Sequence, residues 1–181
     1  MLFRSQWLNP LPEGNEFLDA TFIDAQNGWV VGGNGALLRT SNGGASWTAQ
    51  ANILRTTPFL GLSIVFTDAV TGLISTNTGL MLRTSDGGFS WELLPRMTLT
   101  LQKLRKAPDG SIWGVGSLGA VARSSDAGLS WQRLPTGIST VVYDIAFPDA
   151  QTAVAVCGGG TVLRSTDGGQ SWSSSVAGIA T

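Results

Sequence analysis

The chain has 181 residues, 43% hydrophobic and 13% charged, with a formal net charge of −1 and no histidine. That is enough apolar chain for one domain with a real core, and too little charge for a disordered segment. The near-zero charge supplies no field to hold nucleic acid or an anionic membrane, and the missing histidine removes most zinc and histidine-based hydrolytic mechanisms.

The 24 glycines exceed ordinary usage of ~7% and lie between short apolar runs, a pattern of tight turns joining short strands. No apolar run reaches the ~18 residues of a membrane-spanning helix. The opening stretch MLFRSQWLNPLPEGN contains no signal-peptide apolar core, so the signal of an exported form would have been removed from this chain or never included in it.

In chain order, residues 1–12 carry Trp7 followed by LNPLPEG, which reads as an extra outer strand. Four similar units follow, at approximately 17–50, 60–95, 102–135 and 141–176. Each holds an apolar run, an Asp-containing turn, a second apolar run, a Gly-rich turn, and a third run ending in Arg-Thr or Arg-Ser. A fourth run then starts at a tryptophan. These are four short strands per unit, A to D, with turn chemistry between them. Helical spacing is not sustained anywhere. Trp47, Trp91, Trp131 and Trp172 recur at intervals of 44, 40 and 41 residues, and Trp7 precedes Trp47 by 40. A period near 42 suits one propeller blade of four strands.

The phrase joining strands C and D appears four times: RTSNGGASW at 39–47, RTSDGGFSW at 83–91, RSSDAGLSW at 123–131 and RSTDGGQSW at 164–172. Its acidic position holds Asn42, Asp86, Asp126 and Asp167, and its glycine is Gly44, Gly88, Gly128 or Gly169. Asp and Asn are expected to accept hydrogen bonds from backbone N–H groups two residues on. Glycine supplies the left-handed conformation, and the tryptophan covers the hairpin while its N–H still needs a partner. The phrase reads as a clasp. Calcium is the alternative, but isolated single carboxylates, one replaced by Asn42, do not supply the oxygens it needs.

The phrase resembles the Asp-box, or bacterial neuraminidase repeat. The longer unit in residues 22–47 is similar, more narrowly, to the photosystem II stability and assembly factor family, which includes bacterial proteins unconnected with photosynthesis. The resemblance covers nearly the whole chain. It implies a β-propeller of about seven blades, a non-catalytic scaffold that binds protein or peptide, membrane-protein segments included, and an extracytoplasmic location. Asp-boxes also occur in sialidases, xyloglucanases and sorting receptors. A fragment of a secreted glycosidase or carbohydrate-binding propeller, and a structural module of a larger exported protein, therefore stand as alternatives.

For an enzyme the residues are poor. Tyr143 is the only tyrosine, and its neighbour Asp144 should point to the opposite face of a strand. Asp24, Asp68, Asp109 and Asp149 belong to A–B turns, which leaves Glu13, Glu16, Asp19, Glu92 and Asp144 unassigned. GGNG and CGGG lead into strands and are not phosphate loops. Cys157, the single cysteine, reads as a small buried hydrophobe. No catalytic residue, metal or cofactor is expected.

Arg39, Arg83, Arg123 and Arg164 recur at the end of strand C. Their stems are expected to pack between sheets, the alternative being a ring of guanidinium groups for an acidic or C-terminal peptide. Trp29 and Trp113 on strand B are expected in the core. Function is expected where the units differ. The D–A and B–C loops share one end of a propeller, opposite the clasps. That end would carry Arg55, Arg96, Asn34, Asn77 and Thr136 to Ser139. The stretch 96–106 holds Arg96, Lys103, Arg105 and Lys106, the only basic cluster, read either as a solvated strand edge or as a partner site. Without interleaved aromatics it does not make a nucleic-acid groove. Four A–B–C sets with five D-like tryptophans favour an incomplete or half propeller over a closed four-bladed ring, with self-association as one way to complete it.

Overall fold

Short apolar runs separated by glycine- and aspartate-rich turns leave each repeat one economical solution, a four-stranded antiparallel sheet. The computed structural model describes residues 16–50 and 60–176. The first sheet contains β1 (Phe17–Phe22), β2 (Gly28–Gly32), β3 (Leu37–Thr40) and β4 (Thr48–Ala49). The second contains β5 (Gly61–Phe66), β6 (Gly72–Thr76), β7 (Met81–Thr84) and β8 (Glu92–Leu93). The third contains β9 (Leu101–Lys106), β10 (Ile112–Gly116), β11 (Val121–Ser124) and β12 (Gln132–Arg133). The fourth contains β13 (Val142–Ala146), β14 (Ala153–Cys157), β15 (Thr161–Ser165) and β16 (Ser173–Val176). In every sheet the strands are hydrogen-bonded in sequence order, so each repeat is one meander, a propeller blade. The expected outer strand around Trp7 lies outside the described residues.

Three apolar cores join the four blades. Trp29, Val31 and Leu37 of the first meet Ile64, Phe66, Ile74, Leu82 and Trp91 of the second. Val65, Leu73 and Met81 of the second meet Leu101, Leu104, Ile112 and Ala122 of the third. Trp113, Val115, Val121 and Leu134 of the third meet Val142, Ile145, Ala155, Cys157 and Leu163 of the fourth. No core among the described residues joins the first blade to the fourth. The described residues form an open propeller arc, with the A strands β1, β5, β9 and β13 side by side along its inner wall.

Each A strand carries a bulge at the same place. Pairing jumps over Leu18, Leu62, Gln102 and Tyr143, so the next residues, Asp19, Ser63, Lys103 and Asp144, occupy equivalent positions. A bulge re-aims side chains. Simple alternation, on which the opposite faces of Tyr143 and Asp144 were expected, is therefore broken at that pair.

The clasp glycines have a second role. Gly44, Gly88, Gly128 and Gly169 take φ of 86°, 79°, 87° and 87°, where side chains are disfavoured. Three of them also seat a side chain from the preceding blade: Trp29 lies on Gly88, Leu73 on Gly128 and Trp113 on Gly169. A Cβ at Gly128 would come 2.5 Å from Leu73 Cδ1, and one at Gly169 would come 2.5 Å from Trp113 Cη2. The repeated phrase thus closes its own hairpin and locks neighbouring blades together.

Candidate functional site

The clasp is built differently from the two-residue turn expected. The acidic side chain reaches four residues on: Ser46, Ser90 and Ser130 donate their backbone N–H to Asn42, Asp86 and Asp126 Oδ1 at 2.9 Å, and Ser171 donates to Asp167 Oδ1 at 3.0 Å. The glycine N–H is taken by the hydroxyl at the start of the phrase, Thr40, Thr84, Ser124 or Ser165, at 2.8–3.0 Å. Each of those hydroxyls donates in turn to the acidic side chain. Two-residue bonds occur instead in the A–B turns, where Asp24, Asp68, Asp109 and Asp149 accept from Gln26, Val70, Ser111 and Gln151 N–H. The Ser90 hydroxyl and N–H pull Asp86 down to about 2, and those of Ser171 do the same for Asp167. Trp131 and Trp172 donate Nε1–H to Gly128 and Gly169 carbonyls at 3.1 Å, whereas Trp91 Nε1 is buried without a partner among the described residues.

Two ends of the arc can be told apart by hydrogen bonds. Clasp residues Gly43, Gly87 and Gly168 donate to Gln26, Val70 and Gln151 carbonyls, so clasps and A–B turns share one end. At the other end the B–C turns are tied to the segments entering strand A: Gly33 N–H to Glu16, Asn77 to Leu60, Gly119 to Thr140 and Gly158 to Val141. That second end carries Asn34, Asn77 and Arg96. Asn77 Oδ1 accepts from Leu60 N–H at 3.0 Å, and Arg96 donates to the Thr78 carbonyl at 2.8 Å. Arg55 lies outside the described residues.

The basic run 96–106 is not one patch. Arg96 sits in the D–A loop, while Lys103, Arg105 and Lys106 lie on β9 at the inner wall. Lys103 Nζ pairs with Asp19 of the first blade at 2.8 Å. Asp19 also accepts from Ser63 Oγ at 2.6 Å and Ile64 N–H at 3.0 Å, and Ser63 Oγ accepts from Leu104 N–H at 3.1 Å. The equivalent bulge positions therefore form a polar ladder across three blades. Arg105 grips Asp144 with two hydrogen bonds, at 2.9 and 2.8 Å. Partial burial works against the charge on Asp144, but Arg105 and the Ile145 N–H hold its carboxyl below the ordinary value. Lys106 donates to the Thr67 carbonyl.

Three of the strand C arginines reach the neighbouring clasp or their own turn. Arg39 lies between Trp29 and the exposed ring of Phe89, 4.2 Å from the latter's centroid. Arg83 Nε donates to the Ala127 carbonyl, and Arg123 to Asp109 and Ser111.

Leu118 is a residue that sequence reasoning passed over. It lies in the third B–C turn, 75% exposed, with φ of +57°. A bulky side chain in that region is an outlier, and such strain gathers at binding sites. The equivalent positions of the first and fourth blades hold Asn34 and Gly159, which tolerate this conformation, and that of the second holds Thr78, which does not adopt it. Setting the B–C turns beside one another makes the leucine stand out, and that was the available signal.

Four-stranded meanders set side by side around shared inner strands, each closed by the same turn, define a Trp-clasped β-propeller arc. Residues 3–100, more than half of the chain, match the family described as Photosynthesis system II assembly factor YCF48, and the chain belongs to that family. Among solved structures it is similar to YCF48 bound to D1 peptide, with a TM-score of 0.77 and 28% identity over 92% of this chain. The chain spans 57% of that relative's length. YCF48 from Cyanidioschyzon merolae matches 94% of this chain and 59% of its own, at 20% identity and a TM-score of 0.71. A GH74 enzyme from Niastella koreensis matches 84% of this chain and 28% of its own, at 16% identity and a TM-score of 0.69. The last two likenesses concern the fold alone. No curated protein matches the sequence.

Proposed function

We propose that this chain is a non-catalytic propeller scaffold that binds a protein or peptide segment, in the manner of an assembly factor. The observation that carries the reading is the likeness to a YCF48 bound to D1 peptide, over 92% of this chain. We assign binding to the end bearing the D–A and B–C loops, with Arg96, Asn34, Asn77 and the strained, exposed Leu118 as contacts. Arg55 belongs to the same proposal. Lys103, Arg105 and Lys106 belong to it from the inner wall. Arg105 and Asp144 are each more than 40% exposed, so an acidic group on a partner can compete for that guanidinium. An extracytoplasmic site of action goes with the family. No described helix is long and apolar enough to cross a membrane.

Carboxylate chemistry speaks against the glycosidase alternative. A general acid needs a raised pKa. Of the carboxylates that the turns leave unassigned, Asp144 is held below its ordinary value by Arg105 and the Ile145 N–H, which does not suit a general acid.

Calorimetric titration with the D1 peptide tests the proposal. Arg96→Ala and Leu118→Gly should each weaken binding by up to roughly tenfold, the loss of one good contact. Ser90→Ala, at the clasp end, should leave affinity unchanged. Loss of binding in the clasp variant alone, or turnover of a polysaccharide by the wild type, would overturn it.

A further inference from the structure

The first clasp differs from the other three in one polar atom. Asp86, Asp126 and Asp167 each set Oδ2 against a serine hydroxyl, of Ser90, Ser130 or Ser171, at 2.6, 2.5 and 2.5 Å. Asn42 has an amide nitrogen in that place, and Nδ2 donates to Ser46 Oγ at 2.8 Å. The other bonds are the same: Asn42 Oδ1 accepts from the Thr40 hydroxyl at 2.8 Å and from Ser46 N–H at 2.9 Å. An asparagine thus stands among a carboxylate's partners. Aspartate there needs only the Ser46 hydroxyl to turn its proton round, and the bond becomes charge-assisted, the shorter and stronger kind.

Asn42 is followed by Gly43, and both are exposed. Asparagine is thermolabile, and most so before glycine, where no Cβ shields the next backbone nitrogen. The reaction needs water and no oxidant. Gly43 N bonds to Asn42 Cγ, the Cγ–Nδ2 bond breaks, and the Gly43 amide proton leaves with Nδ2 as ammonia. Water then opens the five-membered ring. Opening at Cγ gives aspartate. Opening at the Asn42 backbone carbonyl gives isoaspartate, whose main chain is one carbon longer and whose carboxylate lies off the clasp.

The closed clasp opposes the first step at both reacting groups. Gly43 N–H donates to the Gln26 carbonyl at 2.9 Å, and the Asn42 amide is held by Thr40 and Ser46. Reaction therefore waits on local opening. The chain has two further Asn–Gly pairs, Asn27–Gly28 and Asn34–Gly35. Asn27 Nδ2 donates to both Asp24 oxygens, at 3.2 and 2.9 Å, so an acid at 27 would face a carboxylate. Asn34 lies in the B–C turn at the other end of the blade. Of the three, position 42 is the one at which the other blades already hold aspartate.

We propose that Asn42–Gly43 is a modification site, a deamidation site gated by its own clasp, and that aspartate is the product the fold retains. The conversion is one-way. It adds a negative charge at the clasp end and gives the first blade the clasp of the other three.

Peptide mapping by mass spectrometry tests this on the full 181-residue chain, incubated at mildly alkaline pH with and without urea. Asn42 should convert faster in urea than in the fold. Ser46→Ala removes the acceptor of Nδ2 at an exposed position and should speed conversion at Asn42 by roughly fivefold, the effect of one hydrogen bond on opening. Asn34 in the same digest should keep its rate, which separates opening of the clasp from general unfolding. Asn42→Asp should raise the urea midpoint at neutral pH. Three results overturn the proposal: equal rates at Asn42 in the fold and in urea; a Ser46→Ala rate no higher than wild type, or matched by an equal rise at Asn34; and an Asn42→Asp midpoint at or below that of wild type.

Discussion

At position 127 an alanine stands where the other three clasps have glycine, with φ of +56° against +68°, +74° and +69° at Gly43, Gly87 and Gly168. A side chain there is strained by ~1–2 kcal/mol, and glycine adds ~0.4–1 kcal/mol of unfolded-chain entropy. Ala127→Gly should therefore raise stability by up to about 1 kcal/mol in chemical denaturation. Glycines with the same sign of φ are not equivalent, however. Gly110, at +85°, has nothing within 4 Å of an added Cβ, whereas Gly88, at +79°, lies under Trp29. Gly110→Ala should cost only the backbone strain less the entropy offset, up to about 1 kcal/mol, and Gly88→Ala roughly 1–4 kcal/mol because overpacking is added. Equal losses would remove the seating role. The left-handed glycine was legible in the phrase itself. The seat was not, because Trp29 reaches Gly88 only once two blades are packed.

Between the blades, the polar ladder separates two ion pairs that look alike in sequence. Lys103 and Asp19 are 21% and 13% exposed, and the carboxylate also holds Ser63 and Ile64. Asp19→Ala leaves an uncompensated, partly buried ammonium and should cost about 3 kcal/mol. Arg105 and Asp144 are far more exposed, and Asp144→Ala should cost about 1 kcal/mol or less. Urea denaturation of both variants compares them directly. The run 96–106 read as one basic cluster because sequence adjacency was the only distance in hand. The bulge at Gln102 and the neighbouring A strands send its charges to separate partners. The clasp was legible as an element, yet its reach was misjudged: the carboxylate spans four residues, and a hydroxyl rather than the acid takes the glycine N–H.

The whole molecule should feel the clasps through pH. Asp86 and Asp167 sit at about 2 in the fold, against an ordinary value of 3.8. Between those values the unfolded chain binds more protons, so the stabilisation is complete above about pH 4 and is lost as pH falls toward about 2. Denaturation midpoints should fall through that window, and Ser90→Ala, which removes the main cause at Asp86, should soften the drop. The open arc was legible by counting tryptophans against A–B–C sets. Which inner-wall charges face one another was not, since that depends on contacts between blades. The loop end is proposed as the binding end by exclusion: the repeated chemistry closes and locks blades, and variation is left to the B–C and D–A loops. Amide NMR of the labelled protein titrated with the D1 peptide tests this division most directly. Shifts should cluster at Asn34, Asn77, Arg96 and Leu118, with the clasps silent. Shifts centred on Gly44, Gly88, Gly128 and Gly169, or none at saturating peptide, would contradict it.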